Sequence, residues 1–180
     1  MMEMEKSNRS LSPVAGGLLI SLMLMIVTML VAYIPGLRGQ PWTQWLGYII
    51  LVSGIAYVIQ IHAKQVSYLE GFGDLFAYGF RVTTVIICIM ILFTILFTYL
   101  NPEMKDEVIQ ATTEQALKQP GVREADLEKF MEFYEKNFTL VLLIGIIFSY
   151  LILGLIGSLI GAAIAKKKPT SPFDTIDNQS

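Results

Sequence analysis

The sequence predicts an all-α integral membrane protein, a four-transmembrane-helix bundle with an extramembrane amphipathic helical hairpin between helices three and four. Three observations predict it. Four windows long enough to cross a bilayer are almost free of charge, the segment 101–137 gathers nine acids and five bases, and the chain is 54% hydrophobic but only 16% charged. A 180-residue chain of that composition has too little polar surface to cover one soluble globule, so lipid is the better solvent. The net charge of −2 offers no basic face and excludes a nucleic-acid partner. The single cysteine, Cys88, lies within an apolar window, forms no intrachain disulfide and reads as a small packing residue.

A helix rises about 1.5 Å per residue and the hydrocarbon core is about 30 Å thick, so roughly 20 apolar residues make a crossing. The first window, 13–34, is uncharged, starts with Ser12 as N-cap and Pro13 at the first helical position, and stops at Pro35-Gly36. Lys6 and Arg9 precede it as in a signal peptide. Its apolar run is too long for that reading and no small-x-small cleavage site follows, so it is expected to be retained. The second window, 42–61, opens on Trp42 and Trp45 as headgroup-level anchors. Only about seven residues, with Arg38-Gly39-Gln40-Pro41 as a polar turn, separate it from the first, which makes the two antiparallel neighbours.

The third window, 76–100, is apolar apart from Arg81 near its start. A long cationic side chain there reaches back to the interface, and the sharper alternative pairs it with Asp74, two turns earlier on the same face. The fourth window, 138–165, carries no charge over 28 residues and ends in Lys166-Lys167-Lys168 and Pro169. Its length implies tilt or a portion standing clear of the membrane. Gly154, Gly157, Ser158, Gly161, Ala162 and Ala165 recur along it in small-xxx-small spacing, which lets another helix backbone approach closely. The spacing alone leaves open whether that partner belongs to the same chain or to a second copy; the same chain is favoured. The membrane domain then spans 1–168, with 169–180 as a short disordered polar tail.

Four spans place the termini and the second connection on one side and the first and third connections on the other. The bases divide seven to six between those sides. The lysine triplet directly after the fourth span outweighs the dispersed bases of the third connection, so the termini are expected in the cytoplasm.

The third connection, 101–137, reads as two helical arms. Asn101-Pro102-Glu103 supplies an N-cap, a first-position proline and an acidic first turn for a helix running to about Lys118, which Gln119-Pro120-Gly121 breaks. Leu127, Phe130, Met131, Tyr134 and Phe138 then recur at three- and four-residue steps, an apolar stripe that runs without a breaker into the fourth span, so that 124–165 could form one continuous helix. Met104, Val108 and Ala111 give the first arm a weaker stripe for packing against the second. The hairpin's net charge of about −4 suits a cation-attracting vestibule or a dock for a basic partner, against the plainer reading of a solvated surface. It holds no calcium-loop spacing.

Chemistry is thinly provided. His62 is the only histidine, at the end of the second span beside Lys64, where a polar interfacial role is expected over acid–base work. One histidine and one cysteine assemble no metal site within a chain. Gly71-Phe72-Gly73 lacks a Walker lysine and a preceding strand, so it reads as a turn rather than a phosphate loop. The hydroxyls of Ser53, Tyr57, Thr83, Thr84 and Thr94 could line a solute route, but bonding to their own helix or a neighbour is the expectation. No catalytic, cofactor-binding or metal-ligating residue is assigned, and no cofactor.

The layout as a whole resembles a known family. Four spans, the run Gly71-Phe72-Gly73-Asp74-Leu75-Phe76-Ala77-Tyr78-Gly79 opening the third, Tyr99-Leu100-Asn101-Pro102-Glu103 closing it, the amphipathic hairpin and a small-residue fourth span ending in lysines are similar to domain of unknown function 4199. That family comprises small bacterial membrane proteins found mainly in Bacteroidetes. The resemblance implies an inner-membrane location and transfers no catalytic residue; Val122-Arg123 departs from the capping expected before the second arm. The function expected is that of a non-enzymatic accessory subunit or self-assembling module, with the lipid bilayer and a second copy or another membrane protein as partners. The alternative is a small-solute or ion transporter or channel formed by oligomerisation.

Overall fold

A computed structural model of the chain describes residues 11–34, 36–37, 40–117 and 124–165. The turn at Arg38-Gly39, the break at Gln119-Pro120-Gly121, the helix start at Val122-Arg123, the lysine triplet and the C-terminal tail lie outside the described residues. Those described form six helices: α1 (Pro13–Tyr33), α2 (Pro41–Gln65), α3 (Phe72–Leu100), α4 (Glu103–Leu117), α5 (Glu124–Lys136) and α6 (Phe138–Ile164). Four of them, α1, α2, α3 and α6, are long and apolar enough to cross a membrane.

The helix ends follow local chemistry. The Ser12 hydroxyl accepts the Ala15 N–H at 3.2 Å and Pro13 opens α1, so the first turn loses little by lacking intrahelical partners. Ile34 leaves the helix in an extended conformation, as a residue ahead of proline must. The helix α2 runs one turn beyond the expected 61, and its end is a Schellman turn built without glycine. Ser67 and Tyr68 adopt φ of 57° and 59°, and the Tyr68 N–H reaches the Ala63 carbonyl at 2.7 Å. The helix α3 begins four residues earlier than the apolar window, because Asp74 accepts the Gly71 N–H at 3.3 Å and places its charge in the first turn, where the helix dipole favours it.

Two expectations for the hairpin are corrected. Asn101 does not cap α4 with its side chain: its amide donates to the Phe97 carbonyl at 2.9 Å and accepts from the Tyr33 hydroxyl at 3.0 Å, tying the end of α3 to the end of α1. The expected single helix from 124 to 165 is divided at Asn137 into α5 and α6. The backbone bonds Asn137 to Phe133 and Val141 to Asn137, both 3.0 Å, bridge the division, while the Asn137 amide bonds back to the Phe133 carbonyl. The Asn137 amide thus shares the Phe133 carbonyl with its own backbone N–H, a local competition at the point of division. The α5 stripe keeps its inward face through Leu127 and Tyr134, with Tyr134 edge-on to Phe138 at 5.8 Å.

Helices α2 and α3 occupy the middle of the bundle. Both α1 and α6 pack against the pair, which separates them. Buried residues concentrate in the first half of α1 (Ile20), the second half of α2 (Ile55, Ile59, Ala63), the first half of α3 (Leu75, Tyr78, Val82) and the second half of α6 (Ser158, Ala162), with Leu24, Leu51, Ile86 and Met90 carrying the core toward the middle of the helices. In an antiparallel bundle these halves share one end, the end that carries the α2–α3 connection. There the helices close tightly; toward the hairpin they diverge. In lipid no hydrophobic gain separates a helix neighbour from an acyl chain, so close van der Waals fit and interhelical hydrogen bonds must hold this end together.

Candidate functional site

The closed end owes its tightness to small residues. Gly154, Gly157, Ser158, Gly161 and Ala162 are buried, and Ala165 packs on the edge of the core. Their neighbours belong to α2 and α3 of the same chain. A Cβ on Gly161 would stand 2.9 Å from the Ala56 Cα, one on Gly157 would stand 3.1 Å from the Val52 carbonyl oxygen, and one on Gly154 would run into the Thr83 side chain. Gly79 of α3 accommodates Ser158 in return, a pairing that sequence reasoning missed. Gly79 sits among buried Leu75, Val82 and Ile86 on one helix face, and that periodicity was the available signal. The Gln60 amide adds a 2.8 Å bond from α2 to the Gly161 carbonyl. Of the hydroxyls, Ser53, Thr83 and Thr84 each donate to the carbonyl four residues back in their own helix.

At the rim of this end the structure assembles a polar cluster from three elements. The Schellman turn after α2 sends the chain back so that Glu70 meets His62, eight residues earlier, with Oε2 3.0 Å from Nε2. The imidazole stacks on the Tyr78 ring of α3, centroids 3.9 Å apart and planes within 10°. The Tyr78 hydroxyl donates to the Leu11 carbonyl at 2.7 Å, and the Leu11 N–H donates to the Gln65 side chain, so the start of α1 is held to both α2 and α3. His62 is buried at 8% exposure. Because a carboxylate only accepts, Nε2 carries a proton and donates it to Glu70; Nδ1 is buried and has no hydrogen-bond partner among the described residues.

Asp74 and Arg81 line one cavity of about 350 Å³ with His62, Glu70, Tyr78 and Ser12. Both are exposed on its rim, and among the described residues the close ion pair is His62 with Glu70. Among the described residues two carboxylates and one guanidinium line it, a mixed-charge niche. It can hold a donor-rich cationic group beside an anionic one. Among the described residues no group of three His, Cys, Asp or Glu side chains is placed to hold a metal ion.

A second cavity, about 490 Å³, lies at the opposite end where the helices diverge. One face of α1 (Leu24, Thr28, Val31), the first turns of α2 (Gln44, Tyr48) and one face of α4 (Met104, Glu107, Val108, Ala111) surround it. The weak apolar stripe of α4, expected to pack on α5, thus also turns toward the bundle. The hairpin roofs the open end.

Four apolar spans, a glycine-packed end and a helical hairpin define a multi-pass helical membrane protein. Residues 16–167 match the family model described as protein of unknown function DUF4199, and the chain belongs to that family. No curated protein and no solved structure matches the chain.

Proposed function

We propose that the chain is a non-enzymatic accessory subunit of the bacterial inner membrane, with its termini and the α2–α3 connection in the cytoplasm and the α4–α5 hairpin outside. The observation that carries this reading is the occupation of the α6 small-residue face by α2 and α3 of the same chain. The strongest helix-association signal in the sequence is thereby spent within one protomer. The hairpin, at a net charge of about −4 over 101–137, is left as the feature that presents polar surface to a partner. Interdigitated Ile20, Leu51, Ile55, Ile59 and Val82 fill the closed end, which supports an anchor more than a conduit. The positive-inside weight of the lysines after α6 supports the orientation.

The cavity beneath α4 favours one second reading, a transporter formed by several copies with the acidic hairpin at its mouth. Purified protein reconstituted in liposomes separates the two. Cation and small-solute flux equal to that of empty vesicles is expected; flux that rises with the protein-to-lipid ratio overturns the accessory reading.

A further inference from the structure

We infer that the cavity at the α1–α2–α3 rim is a recognition site for a primary ammonium joined to a phosphodiester, the headgroup chemistry of an aminophospholipid. Several of its acceptors keep lone pairs without a partner among the described residues. Glu70 uses Oε2 on His62 and Asp74 uses Oδ2 on the Gly71 N–H, which leaves each carboxylate a second oxygen. The Tyr78 oxygen donates its proton to Leu11 and keeps its lone pairs, and His62 lines the wall with its Nδ1 fully buried. Acceptors from α3 and the α2–α3 connection thus line a pocket whose charged groups, among the described residues, sum to a net negative.

A primary ammonium has three N–H donors and a positive charge, the complement of such a set; a trimethylammonium has the charge and no donor. The cation on the wall among the described residues, Arg81, sits where the attached phosphate would be met by a guanidinium that binds phosphate oxygens in pairs. The pocket lies at the ends of α1, α2 and α3, the level at which lipid headgroups sit when those helices cross a bilayer. Charge on both halves of the ligand is answered by charge on the wall. This inference stands apart from the accessory reading, because either can fail alone.

The test is native mass spectrometry of the full chain, delipidated in mild detergent and titrated with phosphatidylethanolamine, phosphatidylcholine and phosphatidylglycerol of identical acyl chains, with glycerophosphoethanolamine as a free competitor. Phosphatidylethanolamine is expected to be retained about tenfold better than either of the others. Asp74→Asn and Arg81→Gln, both at exposed positions, should each cut that preference about tenfold, with the melting temperature unchanged in Arg81→Gln and only slightly lowered in Asp74→Asn, whose amide oxygen still accepts the Gly71 N–H. Competition by glycerophosphoethanolamine at matched concentration assigns the site to the soluble headgroup; its failure to compete assigns the site to the membrane lipid. Equal retention of the three lipids, or undiminished preference in both variants, overturns the inference.

Discussion

Tyr78 joins three elements through one side chain, its ring on His62 of α2 and its hydroxyl on the Leu11 carbonyl ahead of α1. Tyr78→Phe keeps the ring contact and removes the bond, so thermal unfolding in detergent should show a loss of about 1 kcal/mol. Ser67 makes the opposite case. It holds a left-handed conformation, φ 57°, that side chains resist, in the turn that returns Glu70 to His62. Ser67→Gly relieves that strain at some cost in unfolded-chain entropy, and a net gain of roughly 0.5 kcal/mol is expected by the same measurement. These two residues also explain why the cluster was hidden in the sequence. His62, Asp74 and Arg81 were visible as polar residues near span ends, but a Schellman turn without glycine leaves no signature, and Glu70 therefore went unremarked beside them.

At the scale of the element, the spans were legible because roughly 20 uncharged residues admit few other readings, and their ends were set by chemistry that hydropathy does not weigh. The Asp74 cap extends α3 ahead of the window that a charge would seem to close. Asn137 stands at the division of α5 from α6 inside an unbroken apolar stripe, where its amide competes for a carbonyl that periodicity alone assigns to the helix. The small-residue face of α6 was legible as well, but not its partner, because spacing identifies a face that can be approached and not what approaches it. The fit makes a sharp contrast between glycines. Gly157→Leu and Gly161→Leu drive side chains into the α2 backbone, and each should cost about 3 kcal/mol in thermal unfolding. Gly145 has open space around it, and Gly145→Ala should leave the melting temperature unchanged or slightly raised.

Across the whole molecule, one end of the bundle is closed by glycine packing and the other diverges beneath α4. Hydropathy announced four helices but not this polarity, which depends on the small residues of α1 (Gly16 against Val58, Gly17 against Val85), α3 (Gly79) and α6 lying toward the same end. The proposed orientation is tested by single cysteines at Asp106 and Lys64 in a Cys88→Ser background. A membrane-impermeant maleimide added to intact spheroplasts should label the α4 position and spare the α2 position; the reverse pattern inverts the topology. That this bundle completes its own packing and works as a subunit for another protein is checked by native mass spectrometry of the protein taken from its own membrane in mild detergent. One copy carrying a second protein is the expected spectrum. A discrete homo-oligomer without other protein would contradict the claim.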